Sequence, residues 1–280
     1  MRAALVQLSV SDDAADNLPR TQAMVAQAAD AGATLVLTPE ATNLLSPDAR
    51  VMDRTLVPEA RDPTLAALRE HAARLGVWLS LGSLLLRADD PGPGAPFVNR
   101  GFLIAPDGAI AARYDKIHMF DVDLPGGAPI RESARYRPGD RAVLADGPAP
   151  VGLSICYDLR FPHLYRNLAQ AGAALLVVPA AFHPDTGRAH WHVLLRARAI
   201  ETGCFVLAAA QTGSHAQKEG SKHPSRRSFG HSLAVDPWGN LLADAGDAPG
   251  VTVVDLDLAA VNKARSHIPS LSQTRDFTTA

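Results

Sequence analysis

Along the whole of this 280-residue chain, short apolar runs with the character of strands alternate with segments of helical spacing. That alternation restricts the chain to helices packed on sheets. Residues 3–8 read as a first strand, 17–31 as a helix stopped at Gly32, and 34–38 as a second strand ending at Pro39 and Glu40. A helix over 64–75, closed by Gly76, leads into a strand over 77–86. Runs at 99–105 and 109–114 flank Pro106-Asp107-Gly108, a strong hairpin signal. A strand opening at Val151 runs straight into Cys156, and a chain reversal and a helix over 161–170 follow. Strands at 174–179 and 204–210 enclose a helix at 188–202. A second hairpin pairs 232–236 with 241–245, and a strand at 251–256 and a helix at 258–267 close the pattern. Helix-linked strands and hairpins occur together, so the expected class is α/β with sheets that are not purely parallel. The stretch 89–96 reads as a surface loop and 217–227 as a polar, basic one. Both fall inside the alternation and no shift in composition marks a boundary, so residues 1–280 read as one domain with a tail from about 270. No internal repeat stands out.

Composition removes several classes of function. The formal charge is −2, with both signs mixed along the chain, so neither a nucleic-acid surface nor an anionic-membrane anchor is expected. The first ten residues are apolar but soon meet Asp12, Asp13 and Asp16, and they read as a strand rather than a signal peptide. No run approaches the ~20 apolar residues of a membrane span. Cys156 and Cys204 are the only cysteines, which argues against a disulfide scaffold and for a reducing cytoplasm.

Chemistry concentrates at three strand ends. Cys156 lies where a strand gives way to a helix, beside free backbone N–H groups and the positive end of a helix dipole. Such a setting favours thiolate and can cradle an oxyanion. A lone cysteine is more often a small core residue, and Cys204, opening an apolar strand, reads that way. Glu40 and Lys116 share the placement of Cys156, each just beyond an apolar run. Sites in helix-covered sheets gather at such ends. A thiol, a carboxylate to take its proton and a cation to hold an oxyanion are what attack on an amide requires. Taken singly, Glu40 and Lys116 read as surface charges and His118 as a loop residue rather than half of a Cys-His dyad. Glu132 is either a surface acid or the group that holds the ammonium in place.

The motifs carry a resemblance. Pro39-Glu40, then Tyr114-Asp115-Lys116-Ile117-His118, then Ser154 to Pro162 around Cys156 resemble, in order and spacing, the three motifs of the nitrilase (carbon–nitrogen hydrolase) superfamily. The similarity continues through Arg131-Glu132-Ser133, Ala189-His190-Trp191, Phe229-Gly230-His231-Ser232 and Asp236-Pro237-Trp238-Gly239. What it implies is a four-layer α-β-β-α sandwich with the site at strand ends. It also implies Cys156 as nucleophile, Glu40 as general base, Lys116 as oxyanion stabiliser with the Tyr157 N–H, and Glu132 as an auxiliary glutamate. The implied reaction is hydrolysis of a small-molecule amide through a thioester, without metal or organic cofactor.

Residues 187–191, 194–201 and 208–211 look most like those of the superfamily's deaminated-glutathione amidases, with omega-amidases acting on 2-oxoglutaramate as the alternative. An N-acyltransferase with the same triad and a binding protein on a hydrolase scaffold are the rivals from other classes. Arg188 and the long segment 217–227 depart from the pattern and bear on the substrate rather than the chemistry. Arg160, four residues after the cysteine, reads either as the partner of a substrate carboxylate or as paired with Asp158 or Asp185. Phe182 and Thr186 follow a strand and are expected near the substrate. His183, His190 and His192 do not face one way on a helix, so no zinc site is expected. The arginines of that helix read as a solvated face or a subunit contact, and a homodimer or higher homo-oligomer is expected.

Overall fold

The protein is described by a computed structural model over residues 1–90, 94–124, 128–217 and 225–279. Parts of the loops expected at 89–96 and 217–227 lie outside these residues. The strands are, in chain order, Arg2–Gln7 (β1), Leu35–Leu37 (β2), Trp78–Arg87 (β3), Phe97–Ile104 (β4) and Ile110–Asp115 (β5). A ribbon of Asp121–Val122 (β6) and Ile130–Arg131 (β7) precedes Val143–Asp146 (β8), Pro150–Leu153 (β9), Leu175–Val177 (β10) and Phe205–Ala208 (β11). A second ribbon, Thr212–Ser214 (β12) with Arg227–Phe229 (β13), precedes Leu233–Val235 (β14), Leu241–Asp244 (β15) and Gly250–Asp255 (β16).

Two six-stranded sheets result, ordered β16-β1-β2-β3-β4-β5 and β15-β14-β11-β10-β9-β8. Each has three parallel strands at its centre, β1-β2-β3 in one and β9-β10-β11 in the other, flanked by antiparallel neighbours. The two halves therefore share a topology that their sequences do not repeat. The last strand, β16, crosses back to pair with β1.

Alternation along the strands sorts the side chains between two cores. Ala3, Leu5, Leu35 and Leu37 point at the second sheet, while Ala4, Val6 and Val36 point at the helices Ala14–Asp30 (α1) and Pro63–Leu75 (α3). On the far side, Pro162–Gln170 (α4) and Pro184–Thr202 (α5) cover the second sheet through Leu164, Leu168, Trp191 and Leu195. This is the four-layer α-β-β-α arrangement. The helices begin where capping groups permit. Asp13 and Asp62 accept hydrogen bonds from Ala15 and Leu65 at the first turns of α1 and α3, and Gly76 at φ 67° ends α3. The helix α5 starts at Pro184, one turn before the expected 188, because His183 caps it and Pro fits the first turn. A short helix, Ala49–Thr55 (α2), was not expected, since its seven residues carry little periodic signal.

Bonds across the gap join the two sheets at one end. The Leu8 N–H donates to the Ala210 carbonyl (3.3 Å) and the Thr212 N–H to Leu8 (2.8 Å). The fully buried Gln7 accepts from the Ser232 N–H and hydroxyl at 2.7 and 2.8 Å. Among the described residues no helix is long and apolar enough to cross a membrane.

Candidate active site

The end of the sandwich where the parallel strands finish brings Glu40, Lys116, Glu132 and Cys156 together. Glu40 stands in the turn after β2, and an irregularity in β3 holds that turn. The Ser83 hydroxyl accepts from the Ala41 N–H (2.9 Å), the Thr42 N–H reaches the Ser83 carbonyl (2.8 Å), and the Gly82 N–H donates to the Thr38 hydroxyl (3.1 Å). Only glycine fits at 82. A Cβ there would lie 2.1 Å from the Thr38 carbonyl oxygen and 2.4 Å from Pro179. Ala41, at φ 56°, is in the left-handed region that side chains disfavour, so the turn is over-determined rather than relaxed. Lys116 follows β5 and is fixed through its backbone to Asn99 and Gly139.

The Lys116 ammonium donates to Glu40 Oε1 at 3.0 Å and to Glu132 Oε1 and Oε2 at 3.0 and 2.8 Å. Asn99 Nδ2 donates to the same Glu40 oxygen (2.8 Å), and the Ala181 N–H to the other (2.8 Å). Glu132 is held by the Phe120 N–H at 2.6 Å. The Cys156 thiol and Glu40 lie close enough to shift each other's protonation, and the Ala181 N–H acts on the thiol as well. Burial by itself would raise Glu40, but the Lys116 charge, the thiol and Arg226 bring its carboxyl down to about 2. Burial would lower Lys116, yet the charges of Glu132 and Glu40 hold it well above its ordinary value. The ion pair is therefore intact at neutral pH.

Cys156 departs from the expectation of a thiolate. It is buried, and burial together with the Glu40 charge pushes the thiol well above its ordinary value, with Lys116 opposing. The reversal expected after it is a short 3-10 turn, Cys156–Arg160, and the helix expected from about 161 is α4, from Pro162. At rest Cys156 is a neutral thiol beside the ionised Glu40 carboxylate. Cys156 itself has φ 49°, unusual for a residue with a Cβ. The buried Asp158 pins this turn, accepting from the Ile155 N–H (2.9 Å), the Tyr114 hydroxyl (2.7 Å) and the His118 N–H (3.0 Å). His118 Nδ1 also lies 2.7 Å from Asp158, and its ring stacks on Phe161 at 3.5 Å. It supports the turn and does not pair with the thiol.

Arg160 pairs with neither Asp158 nor Asp185. Its guanidinium lies over the rings of Phe182 (5.3 Å) and Tyr157 (5.8 Å), with His190 Nδ1 at 3.2 Å. Phe182 is buried against Trp191, and the Thr186 hydroxyl donates to the His183 carbonyl at 3.3 Å within its own helix turn. Cys204 is fully buried in the core. Of the three histidines weighed as a cluster, only His192 joins a three-ligand group among the described residues, with His231 and Asp244. Its Nε2 lies 2.9 Å from Asp244, and His231 Nδ1 lies 2.9 Å from the same carboxylate. Arg198 is not on a solvated face. It is buried, donates to the Leu159 carbonyl (3.0 Å) beneath the nucleophile turn and pairs with Glu201.

Sequence reasoning passed over Asn99, Asp158, Ala181 and Arg226. Asn99 stood at the start of an expected strand and Asp158 two residues from the cysteine, so both carried a positional signal. Ala181 acts only through its backbone and carried none.

Residues 2–266 match the carbon–nitrogen hydrolase family, so the chain belongs to that family, within the nitrilase superfamily. Among curated proteins it is 38% identical over 275 residues to the deaminated glutathione amidase of Mus musculus, covering 97% of this chain and 82% of that one. It is likewise 38% identical to the protein of that name from Yersinia enterocolitica, covering 97% and 92%. Among solved structures, the C. elegans NitFhit protein superposes with a TM-score of 0.86 at 34% identity; 98% of this chain matches 65% of that one. An amidase from Nesterenkonia sp. AN1, described with acrylamide added at its active-site cysteine, gives 0.74 at 28% identity, covering 96% and 98%.

Proposed function

We propose that the protein hydrolyses deaminated glutathione at the amide that joins its 2-oxoglutaryl unit to cysteinylglycine. The observation that carries the reading is the cluster in which the Lys116 ammonium touches both Glu40 and Glu132 while Glu40 and Cys156 shift each other's protonation. The likeness to deaminated glutathione amidases over nearly the whole chain supports the substrate.

In this mechanism Glu40 takes the Cys156 proton as sulfur attacks the amide carbon. The carbonyl oxygen becomes an oxyanion, received by the Lys116 ammonium and the Tyr157 N–H in the first helical turn. Collapse breaks the C–N bond, and the departing amine takes the proton from Glu40. Water then attacks the thioester, giving its proton to Glu40 while the oxyanion forms again. The C–S bond breaks, and the sulfur recovers the proton. Glu132 holds Lys116 in place through both cycles, leaving the ammonium able to turn from Glu40 to the oxyanion. The neutral resting thiol fits this scheme, since proton and bond move together once a carbonyl is within reach.

Arg160 is the partner for the 2-oxo acid carboxylate, with Phe182 and Tyr157 as its walls and Thr186 at the edge. Its guanidinium has no carboxylate partner among the described residues. A buried carboxylate left unpaired costs several kcal/mol, so the substrate needs such a group. The alternative substrate, 2-oxoglutaramate, uses the same machinery with ammonia leaving. The exposed Val193, Ile200, Trp238 and Ile268 support self-association, and two free cysteines support a reducing cytoplasm. Assay of deaminated glutathione against a panel of ω-monoamides, read by product release, tests the assignment: the highest kcat/KM is expected for deaminated glutathione, and turnover of neutral amides alone would refute it.

A further inference from the structure

Arg226 reaches the catalytic cluster from the β12–β13 ribbon, which follows β11 in the same half as Cys156 and Ala181. Its backbone belongs to the ribbon of β12 and β13: the His215 N–H donates to the Arg226 carbonyl at 2.9 Å, and the next pair, Ser214 with Arg227, is in register. His215 anchors the ribbon below, its Nδ1 and Nε2 lying 2.8 Å from the Val10 carbonyl and the Ser228 hydroxyl. The Arg226 guanidinium donates to the Ala181 carbonyl at 3.3 Å. The N–H of that same residue bonds Glu40 and faces the Cys156 thiol. One residue's own length, roughly 3 Å, thus separates the atom that holds Arg226 from the atom that holds the general base.

The residue is exposed, and it forms no ion pair among the described residues. Its charge is felt by Glu40 and by the buried Tyr136. Together, Arg226 on Ala181 and Arg160 on the next residue, Phe182, present two cations beside one nucleophile. Deaminated glutathione carries a carboxylate at each end, with the scissile amide between them. From the scissile nitrogen to the far carboxylate is a dipeptide, roughly 7 Å when extended.

We propose that Arg226 forms a leaving-group subsite, binding the terminal carboxylate of the departing dipeptide and setting a preference for amides whose amine carries an anion. The inference rests on the amidase reading above. It adds that specificity lies on both sides of the scissile bond: Arg160 reads the acyl half and Arg226 the amine half. Arg226 exchanges no atom with the substrate, so its effect falls on KM more than on kcat. An exposed guanidinium suits this role, because the amine half must leave while the acyl half stays bound to sulfur.

The experiment compares wild type, Arg226→Ala and Arg226→Lys on three substrates. These are deaminated glutathione, the same compound with its terminal carboxylate converted to a neutral amide, and 2-oxoglutaramate. Arg226→Ala is expected to lower kcat/KM for deaminated glutathione by about ten- to several-hundred-fold. That loss should exceed the loss on either neutral-ended substrate by at least about tenfold, with Lys intermediate. Equal losses on all three would place the effect on Glu40 or on the fold, and no loss on any would remove the subsite; either result overturns the proposal. Calorimetric binding of cysteinylglycine to wild type and Arg226→Ala separates the subsite from the catalytic reading. If turnover of all three substrates fails but the dipeptide binds more weakly to Arg226→Ala, the amidase assignment falls and the carboxylate subsite stands. Equal dipeptide affinity in the two proteins refutes the subsite.

Discussion

The thiol of Cys156 and the carboxylate of Glu40 are pushed in opposite directions by each other, and this coupling sets the behaviour of the resting enzyme. Burial, and then the Glu40 charge, keep the thiol protonated at neutral pH. Thiolate absorbance, taken as the difference between wild type and Cys156→Ala, is expected to appear only well above the ordinary cysteine range. Glu40→Gln should move it to lower pH by removing the adjacent anion; a thiolate already formed at pH 7 in the wild type would contradict this. Lys116→Ala is expected to lower kcat by roughly 10²–10³, the typical loss for one oxyanion donor. Glu40→Gln should cost about 10²–10⁴. Because Lys116 touches Glu40 directly, the two losses should fall well short of multiplying in the double mutant, and rates measured on the four proteins check it.

At the scale of elements, the site depends on how closely two sheets approach. Gly82 in β3 lies against the carbonyls of Thr38 and Pro39 and the ring of Pro179, which belong to the loops carrying Glu40 and following β10. Gly82→Ala is therefore expected to separate those loops, cost about 1–3 kcal/mol of stability and reduce activity far more than its effect on melting would explain. A variant with normal kcat and melting temperature would show the approach to be slack. Strand periodicity made β1, β3, β4 and β16 legible in the sequence, because each has one face on each core or one on solvent. The strand ends carrying Glu40, Lys116 and Cys156 were legible for the same reason. What was not legible depends on contacts between distant segments. Arg198 looks like one more charged helix position until the Leu159 carbonyl is seen beneath it. Arg226 sits in a polar loop and gains its meaning only from the Ala181 carbonyl, 45 residues away in the chain.

The molecule as a whole is two similar halves stitched at the active end. The pH dependence of stability follows from the groups at that seam. Glu40, lowered to about 2 from 4.5, stabilises the fold above about pH 4.5 and loses that contribution as pH falls through about 2. Lys116, raised above 10.5, stabilises fully below that value and loses its contribution only as pH climbs beyond it. Denaturant unfolding is thus expected to show no change from this pair between about pH 5 and 9. Below that range wild type should lose more stability than Glu40→Gln; parallel acid limbs in the two would mean the pair contributes nothing. On the outer surface, Val193 and Ile200 lie on one face of α5 near Trp238, all more than half exposed. Val193→Glu with Ile200→Glu is expected to reduce the sedimenting mass without unfolding the chain, and a wild type that already sediments as a monomer would remove the basis for self-association.

The central claim is that Cys156 carries the acyl group between two half-reactions, and capture of that intermediate tests it most directly. Wild type, mixed with deaminated glutathione and quenched in acid during turnover, should carry a 2-oxoglutaryl thioester, because the acyl group stays on sulfur until water attacks. Peptide mass mapping is expected to place that group on Cys156, with none on Cys204 and none in Cys156→Ala. Acylation found elsewhere, or release of cysteinylglycine by Cys156→Ala at the wild-type rate, would contradict the account.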